Sequence, residues 1–168
     1  MNLGTFMNTT QYPENLSVHF SFPEAVLSQT ASRCNINNSP NIGELAVMIS
    51  AAAGMERVRA YLNTPIHINS WFRCITLNRE LHSKDNSQHV QGEAIDFISP
   101  AYGTPALISK RLAAAKELIG FDQLILEHDW VHISFAILSG KPRYQVLSLL
   151  QNSSYSIGLT DKLGKVIA

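Results

Sequence analysis

Residues 87–97, SQHVQGEAIDF, set an aspartate inside an apolar run and place a histidine and a glycine just before it. In EAIDFIS the two-residue period of a strand puts Ala94, Asp96 and Ile98 on one face and Ile95 and Phe97 on the other. A carboxylate among apolar neighbours costs several kcal/mol unless it is paired or binds a metal. Any fold for this chain therefore has to bring Asp96 a partner.

A second segment offers one. In WVHISFAIL, Val131, Ile133 and Phe135 share a face, while His132 and Ser134 point the other way. Two neighbouring strands would aim Asp96 and His132 at one point, with His89 arriving from the loop before the first strand. Gly92 has no side chain and permits a close backbone approach there. Two histidines and a carboxylate form a three-ligand zinc site with a fourth position open. A base is needed beside that position. Asp129, three residues before His132, is the first candidate, and Glu127, two residues farther back, competes with it.

The chain is 168 residues long, enough for one domain with a substantial core. Thirteen Lys and Arg balance thirteen Asp and Glu, which argues against a nucleic-acid partner held by bulk charge. No apolar stretch approaches the length of a membrane span, so no membrane insertion is expected. The opening MNLGTFMNTTQYPENLS has neither a basic start nor an apolar core, so no secretory signal is read there and synthesis in a cytoplasm is expected. Cys34 and Cys74 are expected as buried or half-buried thiols.

Residues 1–17 read as a polar lead-in and 18–168 as a single domain, with 148–168 an extension of no assigned role. SFPEAVLSQTASRC predicts one helix, with Ser21 or Phe22 at its cap and Pro23 in its first turn. NIGELAVMISAAAGMERVRAYLN predicts the longest helix, on the spacing of Leu45, Met48, Ile49, Ala52, Met55, Val58 and Leu62. IHINSWF and EAIDFIS read as strands, and LNRELHSKDNSQ between them as a polar connection. TPALISKRLAAAKELIG predicts a helix stopped by Gly120. DQLILE and WVHISF follow as strands joined by His128 and Asp129, and RYQVLSLL as a last strand. The order implies an α+β fold with a small, mostly antiparallel sheet and flanking helices.

These motifs resemble the zinc D-alanyl-D-alanine carboxypeptidase family, in the superfamily shared with Hedgehog signalling domains. Ser87, His89, Gly92, Ala94 and Asp96 fill a Ser-x-His-x-x-Gly-x-Ala-x-Asp pattern, and Asp129, Trp130 and His132 a second one. The resemblance implies His89, Asp96 and His132 as zinc ligands and Asp129 as the acid/base residue. In WFRC it implies that Arg73 holds a substrate carboxylate, with Cys74 where the family usually has serine; a planar guanidinium suits that task. Ser87 is expected to hydrogen-bond substrate or orient a ligand. The implied substrate is the stem peptide of bacterial peptidoglycan, cut at its terminal D-Ala-D-Ala bond as by a carboxypeptidase or at its L-Ala-D-Glu bond as by an endopeptidase. The implied source is a phage or prophage lysin reaching the wall through a holin or carried in a virion. The alternatives are a non-catalytic wall-binding or virion structural protein of the same fold, and a cytoplasmic amidase acting on recycled fragments. His67 is expected as a satisfied sheet histidine, His82 as solvated, His19 as structural and His128 as a neighbour of the site.

Overall fold

The computed structural model describes residues 12–167. Most of the lead-in, residues 1–11, lies outside the described residues. Its end packs on the domain: Leu16 is buried, the Tyr12 ring stacks on Phe22, and the Tyr12 hydroxyl donates to the Pro40 carbonyl at 2.9 Å.

The first helical segment forms two helices, α1 (Phe22–Val26) and α2 (Gln29–Arg33), rather than the single one expected. Ser28 explains the break. It is extended, and its hydroxyl caps the second helix by accepting from the Ala31 amide. Helix α3 (Ile42–Leu62) is the longest; Asn41 and Glu44 satisfy each other's backbone amides in a capping box. Met48, Ala52, Met55, Val58 and Leu62 are buried along its length as their spacing predicts, whereas Ile49 is 43% exposed.

Strand β1 (His67–Ser70) leads into helix α4 (Ile75–Glu80), which occupies part of what reads as a polar connection. The signal is weak because Cys74 is an unusual cap; its sulfur accepts from the Leu77 amide at 3.5 Å. Cys74 is half-buried, but Cys34 is exposed, contrary to expectation. Strand β2 (Ala94–Ile98) precedes helices α5 (Pro105–Ala113) and α6 (Lys116–Ile119), again two where one is expected. Gly120 ends α6 at φ 72°, the left-handed stop its position suggests. Strands β3 (Gln123–Leu126), β4 (Val131–Ser134), β5 (Gln145–Leu149) and β6 (Tyr155–Ile157) complete the fold. Strand β6 lies in the stretch to which the sequence assigned no role.

The architecture is α+β. The six strands form one sheet in the order β1-β2-β4-β3-β5-β6, antiparallel except for the β3–β5 pair. Alternation divides its faces as expected. Ile95, Phe97, Val131, Ile133 and Leu124 are buried in a core shared with α3, α5 and α6. The fit is tight where α3 passes Phe135: a Cβ on Gly54 would lie 2.5 Å from that ring. Among the described residues no helix is long and apolar enough to cross a membrane.

Candidate active site

The opposite face of the sheet carries the polar residues. Asp96 on β2 pairs in register with His132 on β4, so both side chains leave the sheet side by side. His89 comes from the loop before β2. That loop is held by Gly92, whose φ of 80° suits glycine and where a Cβ would meet Met48 Cγ at 2.7 Å. The Trp71 indole donates to the Gly92 carbonyl at 3.0 Å and fixes the approach. The result is a group of three buried residues, with His89, Asp96 and His132 exposed by 3%, 5% and 8%.

One potential ligand atom from each of these residues lies within 4.8 Å of the others. His132 Nδ1 is 2.8 Å from Asp96 Oδ1, and His89 Nε2 is 3.3 Å from Asp96 Oδ2. His89 Nδ1 lies 2.7 Å from the Trp71 carbonyl, which only accepts, so Nδ1 carries the proton. Burial also holds His89 below its ordinary pKa and favours the neutral ring, against the pull of Asp96. Neutral His89 therefore turns the lone pair of Nε2 toward a carboxylate oxygen. Two acceptors facing each other fit a cation between them. Burial opposes the charge on Asp96, yet its polar surroundings, with His132 Nδ1 at 2.8 Å and the Arg73 guanidinium at 2.7 Å, outweigh it and keep the carboxyl ionised. The donor set suits a catalytic zinc, and the His89–Trp71 bond is the outer contact that orients such a ligand.

The group opens on a cavity of about 710 Å³ whose walls include Ser87, Glu127, Trp130, Arg143 and Tyr155. Residues 18–134 match the family described as Peptidase M15. The chain belongs to the peptidase M15 family. M15 peptidases are zinc enzymes, and the buried His-Asp-His group is where this M15 domain would hold the metal. No curated protein matches the chain. The matched span closes at the end of β4, so β5 and β6 lie beyond it.

The structure brings Ser87 to the cavity wall, where its hydroxyl accepts from the His89 amide at 3.4 Å. Arg73 also lines the cavity, but its guanidinium is engaged: Nη2 donates to Asp96 Oδ2 at 2.7 Å and Nε to the Ser70 hydroxyl at 2.9 Å. This arginine braces a candidate metal ligand as well as facing the cleft. Asp129 is placed elsewhere. It is exposed at the tip of the β3–β4 hairpin and is not part of the cavity wall. Glu127, at the base of that hairpin, is half-buried and lines the cavity. Its amide donates to the Trp130 carbonyl at 3.1 Å, closing the turn. Burial and then the Asp96 carboxylate push the Glu127 carboxyl above its usual value. The signal was in the sequence: alternation along DQLILE puts Gln123, Ile125 and Glu127 on one face, and Ile125 pairs with His132.

Among the other histidines, His67 and His128 are exposed, and His82 is exposed at the cavity rim. His19 pairs with Glu56 at 2.8 Å, a structural contact. A network not foreseen from sequence ties the His89 loop to the segments that lead into β3 and β5. Buried Asp122 accepts from Gln88 Nε2 at 3.1 Å, from the Arg143 amide at 2.8 Å and from Arg143 Nε at 3.0 Å. Burial opposes its charge, but these bonds outweigh it and hold its pKa below the ordinary aspartate value. A depressed carboxylate stabilises the fold above its unfolded pKa, and that stability is lost as pH falls through the folded value. Asp122→Asn should cost about 2 kcal/mol at pH 7. In thermal melts the gap to wild type should narrow as the pH falls below the ordinary aspartate range; a gap constant with pH would assign the loss to packing alone.

Proposed function

We propose that this M15 domain is a zinc-dependent peptidase that hydrolyses a peptide bond in the stem peptide of bacterial peptidoglycan. The observation that carries the reading is the buried His89–Asp96–His132 group opening on a cleft with Glu127 in its wall. When bound there, zinc supplies Lewis acidity, polarising a peptide carbonyl and making water a nucleophile near neutral pH.

The protein's own groups do the rest. Glu127 accepts the proton of the attacking water and delivers it to the leaving amine, acting as general base and then general acid. Arg73 holds Asp96 in place through the 2.7 Å bond and presents the remainder of its guanidinium to the cleft. Ser87 and the hairpin residue Trp130 confine the substrate beside them. The setting we assign is a phage or prophage lysin acting at the cell wall, on the resemblance of the motifs to wall-cleaving enzymes.

The test is digestion of purified peptidoglycan, with and without a chelator, and products identified by mass spectrometry. Zinc-dependent release of a defined peptide supports the reading and names the bond. Retained wall binding without products, from protein shown to hold zinc, would make this a non-catalytic module.

A further inference from the structure

The strand registers line up one row of residues across the whole sheet. Ser70 on β1 pairs with Asp96, Asp96 with His132, His132 with Ile125, Ile125 with Leu147, and Leu147 with Ile157 on β6. All lie on the face away from the core. Asp96 and His132, two of the three candidate metal ligands, stand inside this row, with one strand on one side of them and three on the other.

Two cavities follow the same line. The larger extends over β3 and β5 to Tyr155, and a second of about 510 Å³ extends over β1 toward the α1–α2 junction. Arg73, Asp96 and Trp130 belong to the walls of both, so the two meet at the metal group. Their chemistry differs. The larger is lined by Lys84, Gln88, Gln123 and Arg143, whereas the second sets the exposed Leu27 and Leu81, over the edges of Phe72 and Leu77, beside Glu24, Gln29 and Asn69. Arg143, Leu147 and Tyr155, at the far end of the larger cavity, come from beyond the span that matches the M15 family.

We infer that the two cavities are one substrate groove running across the strands, that the second cavity is a subsite for an aliphatic side chain, and that the scissile bond lies inside the bound peptide rather than next to its end. The inference rests on the peptidase reading above. Five strand spacings of about 4.8 Å give a path of about 24 Å, room for about seven extended residues. A substrate that presented only a terminal residue to the β1 side would leave Leu27 and Leu81 facing water. An aliphatic residue there removes apolar surface from water and fixes the peptide on both sides of the bond to be cut. The polar arm, with Lys84 and Arg143 along it, suits carboxylate-bearing residues of the same chain.

The experiment uses zinc-loaded full-length protein and two probes: purified disaccharide pentapeptide, and the isolated dipeptide N-acetyl-D-Ala-D-Ala. The expected result is a cut at a bond other than the terminal D-Ala-D-Ala bond, with the dipeptide turned over at least a hundredfold more slowly. Leu81→Asp should lower kcat/KM on the pentapeptide at least tenfold with unchanged zinc content, and Leu81→Met should restore it. In zinc-free protein the methyl resonances of Leu27, Ile68 and Leu81 should shift on titration with the pentapeptide. Release of a terminal residue alone, full activity of Leu81→Asp, or unmoved methyls alongside intact hydrolysis would overturn the groove. Absence of hydrolysis of either probe and of whole peptidoglycan would overturn the peptidase reading, and the groove with it.

Discussion

Glu127→Gln is expected to lower kcat by about a thousandfold, the middle of the range contributed by a positioned general base. Glutamine keeps the shape and the backbone contact that closes the β3–β4 turn, but it has no carboxylate to take a proton. Zinc content should stay at the wild-type level, because Glu127 is not among the three grouped residues. The paired control is Asp129→Asn, at the exposed tip of the same hairpin, which should keep wild-type rates. The two variants separate the candidates that the sequence leaves open. Collapse of the Asp129 variant with survival of the Glu127 variant would return the role to Asp129 and imply that the hairpin rearranges around substrate.

The second large effect is on Asp96. Its carboxylate faces His89, His132 and Arg73 at 3.3, 2.8 and 2.7 Å, and the Arg73 side chain is only 14% exposed. Asp96→Ala therefore removes a candidate ligand and strands a guanidinium with little water to replace its partner. Zinc affinity, measured by competition with a chromophoric chelator, should fall by more than about a hundredfold, beyond what loss of an outer contact costs. The zinc-free protein should lose about 3 kcal/mol of stability in urea melts, the scale for breaking a buried pair. Asp96→Asn keeps the volume and should recover part of the stability but little of the affinity. Zinc binding at full strength in either variant would refute the ligand assignment.

Much of this site was legible before the fold. The period of two in EAIDFIS and WVHISF sends Asp96 and His132 to one face and Ile95, Phe97, Val131 and Ile133 to the other, and the register confirms both sides. The helix caps were less legible. Ser28 splits one expected helix, and Ala114 and Ala115 interrupt another, because a single local hydrogen bond or a short turn outweighs propensity summed over a segment. Helix α4 escaped notice because its cap is a cysteine sulfur.

The choice between Glu127 and Asp129 shows where local pattern runs out. Both are acidic and both precede His132, so spacing along the chain ranks them only by habit. Which one faces the metal group depends on where the hairpin turns, and the turn is set by the pairing of Leu126 with Val131. The Asp122–Arg143–Gln88 network and the row from Ser70 to Ile157 are likewise properties of strand order, which joins residues far apart in the chain. By itself the sequence determined the α+β class, the meeting of His89, Asp96 and His132, and the need of Asp96 for a partner, because side-chain period and the cost of a buried charge act locally. Which acidic residue faces the three grouped residues, where the two cavities meet and where the last two strands pair were decided only by the tertiary structure, because they depend on which strands become neighbours.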